Sequence, residues 1–190
     1  RSSVFKRTPN RWVVLAVTYD LADQPHSMPI RYPELARELG IETGATAPLA
    51  ETREAVLRLR RKKGMVVDPG DPDSVSAGSF FTNPILDAGE FERLASRAGA
   101  SPPRFEEPDG RVKTSAAWLV ERAGYARGYG DPQTVALSSK HTLALTNRGA
   151  GTATQLLALA REIAAGVERE FGVRLVPEPV LVGQAWDEAP

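Results

Sequence analysis

The chain has 190 residues, 42% of them hydrophobic, and its 24 Lys and Arg are balanced by 24 Asp and Glu. That length buries a core in one large domain or two small lobes, while the charge balance excludes a whole-molecule field drawing nucleic acid or an anionic membrane. Cysteine is absent, which excludes disulfides, thiolate metal sites and a thiol nucleophile and leaves His26 and His141 as the only imidazoles.

No apolar run approaches the ~20 residues of a membrane span, and no signal-peptide pattern opens the chain. With the lack of cysteine, this makes a reducing cytoplasm the expected setting, with no metal site. Near the start, Trp12, Val13, Val14, Leu15, Ala16, Val17, Thr18 and Tyr19 form a largely apolar, β-branched run that predicts a buried strand. A strand this close to Arg1 has no partner before it, and the expectation is a C-terminal piece of a larger protein. Residues 46–63 read as a helix, with Pro48 in its first turn, basic residues in its last and Gly64 as its stop. The Pro, Gly and Asp of residues 68–74 demand a loop, which delivers the chain to Gly78 and Ser79.

Asp87 followed by Glu90 is an Asp-led capping box, and Phe91, Leu94, Ala95 and Ala98 then line one helix face before Gly99. Residues 100–112 read as a Pro-rich linker and 114–123 as a short helix closed by Gly124. Residues 141–147 alternate as a strand, with Leu143 and Leu145 on one face. The longest helix starts at Thr152, capped with Gln155, and runs to Phe171 before Gly172. Apolar segments at 173–176 and 180–182 flank Pro177-Glu178-Pro179, and 184–190 read as a mobile tail. Helices and strands mixed without strict alternation or internal period predict an α+β fold.

Several polar residues have two readings. Ser79, between Gly78 and Phe80-Phe81, is a turn or cap hydroxyl bonded to backbone, or a positioned donor kept from water. Glu178, stiffened by its two prolines, is a partly desolvated carboxylate with a raised pKa, or a loop carboxylate open to water. Asn83 before Pro84 suits a turn, Lys63 a helix terminus, and Lys113 and Arg127 a charged surface.

Four segments in order break this ambiguity: Gly78-Ser79-Phe80-Phe81-Thr82-Asn83-Pro84; Ala116-Ala117-Trp118-Leu119-Val120-Glu121; Lys140-His141 leading to Leu145-Thr146-Asn147; and Pro177-Glu178-Pro179-Val180. Together they resemble the C-terminal half of a MurB-type UDP-N-acetylenolpyruvoylglucosamine reductase, a flavoenzyme of peptidoglycan synthesis, and the likeness runs from Arg1 to Gly183. It implies a substrate-binding lobe joined to the tail end of an FAD-binding domain. Residues 1–63 would be the end of that domain and a connecting helix, 64–150 the substrate-binding α+β domain, 151–183 the C-terminal helix and strands that pack back on the FAD-binding domain, and 184–190 the tail.

The resemblance implies that Ser79 is the proton donor, Glu178 the essential carboxylate and Arg1 the arginine of a Tyr-Arg-x-Ser motif, present here from Arg1-Ser2-Ser3. It gives Tyr32 the place of a tyrosine that closes over substrate, and Lys63 and Asn83 those of substrate contacts. Lys113 and Arg127 become candidates for the diphosphate, and His141 a pocket residue. The implied substrate is UDP-N-acetylglucosamine enolpyruvate and the implied cofactors are FAD and NADPH. FAD is expected mainly on a missing N-terminal portion, the chain's expected partner, which would leave this piece inactive alone. Gly149-Ala150-Gly151 lacks the glycine fingerprint of a dinucleotide site. The rival readings are a flavin-free UDP-sugar-binding module, distinguished by what precedes Arg1, and a structural domain, distinguished by the absence of heat on titration with UDP-sugar.

Overall fold

The structure, a computed structural model, describes residues 3–8 and 11–186. The chain divides into two compact units, Arg1–Arg53 and Glu54–Pro190.

In the first unit, α1 (Val4–Arg7) and α2 (Pro33–Leu39) are short. Pro33 opens α2, where its missing N–H costs nothing, and Gly40 ends it in the left-handed region at φ 68°. A small core of Ile30, Ala36 and Ala47 is held by the amides of Ser27 and Ile30, which donate to Ala47 O and Ala45 O. The strand expected over residues 12–19 is not formed. The segment is irregular and exposed throughout, with Val13 at 84% and Leu15 at 91%. A strand needs a partner for its N–H and C=O groups and a surface for its apolar face, and the described residues of this unit offer neither there.

The second unit contains most of α3 (Leu49–Lys62), within which the division falls, and two three-stranded antiparallel sheets. One sheet has the order β1 (Ser76–Ser79), β6 (Ala144–Asn147), β5 (Val135–Leu137); the other has β2 (Ile85–Leu86), β4 (Val112–Lys113), β3 (Phe105–Glu106). The helices are α4 (Ala88–Ala98), α5 (Ala116–Arg122) and α6 (Ala153–Phe171). Both expected capping boxes are present, Asp87 with Glu90 on α4 and Thr152 with Gln155 on α6.

The core gathers Phe80, Leu94, Leu119, Leu137, Ile163 and Leu175, with α6 packed on α4, α5, β5 and β6. Helices around antiparallel sheets are the α+β class that the sequence predicts. Three local expectations are corrected. Residues 100–112 are not simply a linker, because they carry β3 and lead into β4 as a hairpin closed by Glu107 N–H to Arg111 O at 2.9 Å. The strand read over 141–147 begins only at Ala144, since residues 141–143 form the turn from β5. The tail is packed as far as Trp186, whose ring lies against Phe80 and Phe81.

Candidate functional site

Ser79 ends β1 beside β6. Ser76 pairs with Thr146 and Ser79 with Ala144, so three steps on β1 answer two on β6: a β-bulge. Gly78 provides it at φ +81°, a conformation that β-carbon-bearing residues rarely adopt, with no atom within 4 Å of where a Cβ would stand. The bulge re-aims Ser79, which is half-buried and whose hydroxyl makes no hydrogen bond among the described residues. Of its two readings, the turn hydroxyl bonded to backbone is therefore not what the structure shows.

The next residues form the middle strand of a three-chain ribbon. Phe80 N–H donates to Leu143 O at 2.7 Å on one side. On the other, Glu178 N–H donates to Phe80 O at 2.7 Å, Thr82 N–H donates to Val176 O at 2.9 Å, and Phe81 faces Pro177. Between its two prolines Glu178 owns the one N–H available, and that N–H is used here, so the backbone of Glu178 is fixed one residue from Ser79. Its side chain is exposed, which corrects the desolvated reading in favour of a carboxylate open to water. Residues 176, 178, 180 and 182 point out while 177, 179 and 181 are half-buried, an edge segment in which proline loses no ladder bond.

Four residues beyond Ser79, Asn83 Oδ1 accepts the N–H of Ala116 at 3.0 Å and helps start α5, leaving its NH2 to donate. Lys113 stands opposite Ile85 on β4 and is ion-paired to Glu107 across the hairpin. A carboxylate already answers that ammonium, so an incoming diphosphate would have to compete with it.

His141 lies in the turn before β6. Its Nδ1 accepts the N–H of Leu143 at 3.3 Å, which places the proton of the neutral ring on Nε2. Burial lowers its pKa, and the nearby charges of Lys63 and Arg127 lower it further, so a neutral imidazole stands near two cations. Arg127 also meets Glu121 at 3.7 Å, and Glu121 accepts from Thr142 Oγ1 at 2.5 Å. The turn itself is anchored from residues that sequence reasoning did not single out. Ser138 Oγ, fully buried, accepts the N–H groups of Lys140 and His141. Asp73 accepts from Ser139 N at 2.9 Å, Ser139 Oγ at 2.6 Å and Arg148 Nη2 at 2.8 Å. Burial alone would raise the Asp73 pKa, but the bonds from Ser139, the Arg148 charge and the Ser138 hydroxyl outweigh it and leave it lowered. Asp73 and Arg148 are 75 positions apart, and no local pattern links them.

The ribbon and its flanking turns thus connect Ser79, Asn83, Lys113, His141 and Glu178, and His141 connects to Lys63 and Arg127. Tyr32 belongs to the first unit, exposed at the N-cap of α2. Arg1 lies outside the described residues. A cavity of about 420 Å3 bordered by Val75, Gly78, Phe80, Leu145, Leu156 and Leu181 runs along β1, but neither Ser79 nor Glu178 lines it. No cluster of metal-ligating side chains occurs among the described residues. The glycine step at 149–151 does not fit a flavin diphosphate. Asn147 Oδ1 accepts the N–H groups of Gly149 and Gly151, and its Nδ2 donates to Gly151 O, so the amides that would cradle phosphate are already used.

An α+β unit with a bulged serine and a proline-framed glutamate paired beside it has close relatives. The family model "UDP-N-acetylenolpyruvoylglucosamine reductase, C-terminal domain" matches residues 71–182, and the chain belongs to that family. Proteins named UDP-N-acetylenolpyruvoylglucosamine reductase from Thermobifida fusca and Streptomyces coelicolor are 57% and 56% identical to it, over 96% and 97% of this chain and 52% and 50% of their own length. One of the same name from Salinispora arenicola is 54% identical over 97% of this chain and 52% of its own. The chain spans about half the length of the curated relatives it matches.

Proposed function

We propose that this chain supplies the substrate-protonating part of a UDP-N-acetylenolpyruvoylglucosamine reductase, acting on UDP-N-acetylglucosamine enolpyruvate in peptidoglycan synthesis. The observation that carries the proposal is the Ser79 hydroxyl, without a hydrogen-bond partner among the described residues and set by the Gly78 bulge beside the backbone-anchored Glu178. The reading assigns hydride delivery to FAD, recharged by NADPH and held on the part of the relatives' length outside this chain.

The residues of this chain then govern charge and proton. When hydride adds to one carbon of the enolpyruvyl double bond, an electron pair moves to the adjacent carbon and its conjugated carboxylate. Arg1 would pair with that carboxylate, and Glu178, acting through a water, would share in stabilising the enolate. Ser79 gives its proton to the carbanionic carbon and recovers one from solvent. Serine is a poor acid in water, but the enolate is a strong base, so a positioned donor with little competing water suffices. The buried rings of Phe80 and Phe81, 3% and 2% exposed, back that position.

The two cations Lys63 and Arg127, with the neutral His141 near them, suit the diphosphate. Asn83 offers its NH2 to the sugar, and Lys113 is a second diphosphate contact if it leaves Glu107. Ser79→Ala in the full-length reductase lowers turnover about 100 to 10,000-fold, the usual worth of positioned acid catalysis, while calorimetric binding of substrate persists. Normal turnover by that variant would remove Ser79 from the mechanism.

A further inference from the structure

Trp186 lies four positions beyond the segment that the family model matches, yet its ring reaches back to the residues that follow Ser79. Its centroid is 6.1 Å from that of Phe80 and 6.1 Å from that of Phe81, and the two phenylalanines meet edge to face at 5.1 Å. All three separations fall in the range where aromatic rings attract.

The backbone of this segment is tied down independently of the ring. Arg161, from the middle of α6, donates from Nε to Trp186 O at 3.2 Å and from Nη2 to Ala185 O. A guanidinium presents its donors in a rigid fork, so holding two successive carbonyls fixes direction as well as distance. The stretch between Glu178 and this anchor includes Leu181, which packs on the main core and borders the 420 Å3 cavity. The chain from 178 to 186 is therefore fastened at both ends. One fastening is Glu178 N–H on Phe80 O, and the other is Trp186 on the Phe80 and Phe81 rings.

We propose that Trp186, held by the Arg161 fork, is a positioning residue for Ser79 and Glu178. The inference rests on the function proposed above for those two residues. Ser79 sits on a bulge whose glycine has open space beside it, and its hydroxyl has no hydrogen-bond partner among the described residues. Beyond its backbone pairing with Ala144 on β6, what holds the serine in place is the seating of the next two residues. Phe80 and Phe81 are seated by the core on one side and by the indole on the other. Loss of the indole loosens the ribbon that sets Ser79 against Glu178 and admits water behind the hydroxyl, while the groups that bind the substrate's phosphates are left alone.

The test uses Trp186→Ala, Trp186→Phe and Arg161→Gln in the full-length reductase, with the same changes in the 190-residue chain followed by amide exchange. A misplacement of about an ångström costs up to ~100-fold in rate, so Trp186→Ala is expected to lower kcat roughly tenfold with KM within about twofold. Its solvent isotope effect on kcat should rise as proton transfer becomes slower. Trp186→Phe restores most of the rate, Arg161→Gln gives an intermediate fall, and exchange of the Phe80 and Glu178 amides quickens in Trp186→Ala.

A merely structural role predicts something else: lower stability, but unchanged kcat and isotope effect for the folded fraction. That result, or unchanged amide exchange, overturns the proposal. If the unmodified full-length protein fails to reduce UDP-N-acetylglucosamine enolpyruvate, the proposed function falls and the amide exchange alone decides whether Trp186 seats the ribbon. If Trp186→Ala does not fold, Arg161→Gln, which keeps the ring and removes the fork, carries the same comparison.

Discussion

Gly78→Ala separates the conformational role of the bulge from its packing. No atom lies within 4 Å of the new methyl group, so the only direct penalty is the left-handed backbone at φ +81°, about 1–2 kcal/mol for a residue with a β-carbon. The strand could escape that penalty by losing its bulge, but a one-residue slip carries every following side chain to the opposite face. Phe80 and Phe81 would leave their sites at 3% and 2% exposure, at a cost of about 1.5–3 kcal/mol each. Keeping the bulge is therefore the cheaper outcome. Urea unfolding of the variant, followed by tryptophan fluorescence, should show stability lower by about 1–2 kcal/mol with an unchanged m-value. The Phe80 amide should keep its protection. No loss of stability, or loss of that protection, would show that the bulge does not depend on the backbone conformation of Gly78.

Three further outcomes follow from the same packing. Gly166→Ala in α6 should destabilise although alanine is the better helix former by about 1 kcal/mol, because the new Cβ would lie 2.1 Å from Tyr125 Oη. The Tyr125 ring is fixed by Glu162 O and the edge of Tyr129, so overpacking of about 1–3 kcal/mol wins; unfolding in a Tyr125→Leu background should reverse the sign. Arg148→Met leaves the Asp73 carboxylate buried without its guanidinium, which should cost about 3–5 kcal/mol and, by raising the Asp73 pKa, move the loss of stability on acidification to higher pH. His141 has its pKa lowered on folding, so the unfolded chain takes up the proton first. Its contribution is complete above its ordinary value of about 6.5 and is lost as pH falls from there to the folded value. Imidazole NMR should show the low midpoint, and His141→Gln should flatten this part of the stability curve.

Much of this was legible in the residues. The capping boxes at Asp87 and Thr152 work through bonds spanning three positions, and the stops at Gly99 and Gly172 through a single backbone conformation, so local sequence sufficed. The run at 12–19 was misread because its β-branched composition reports a liking for a sheet and not the existence of one. The β3 and β4 hairpin was hidden because two-residue strands carry no period. At the site, Gly-Ser-Phe-Phe and Pro-Glu-Pro marked the two strands that meet, but the exposure of Glu178 depends on which side of an edge strand it takes. The Asp73–Arg148 and Arg161–Trp186 ties join distant parts of the chain and leave no local trace.

The central claim is that Ser79 and Glu178 serve one carbon of one substrate, and a double-mutant cycle on turnover tests it most directly. Ser79→Ala, Glu178→Gln and the pair are compared in the full-length reductase with UDP-N-acetylglucosamine enolpyruvate. Groups that act as a unit are non-additive, so the double variant should be about as slow as the slower single one. Rate losses that simply multiply would show two independent contributions and contradict the account.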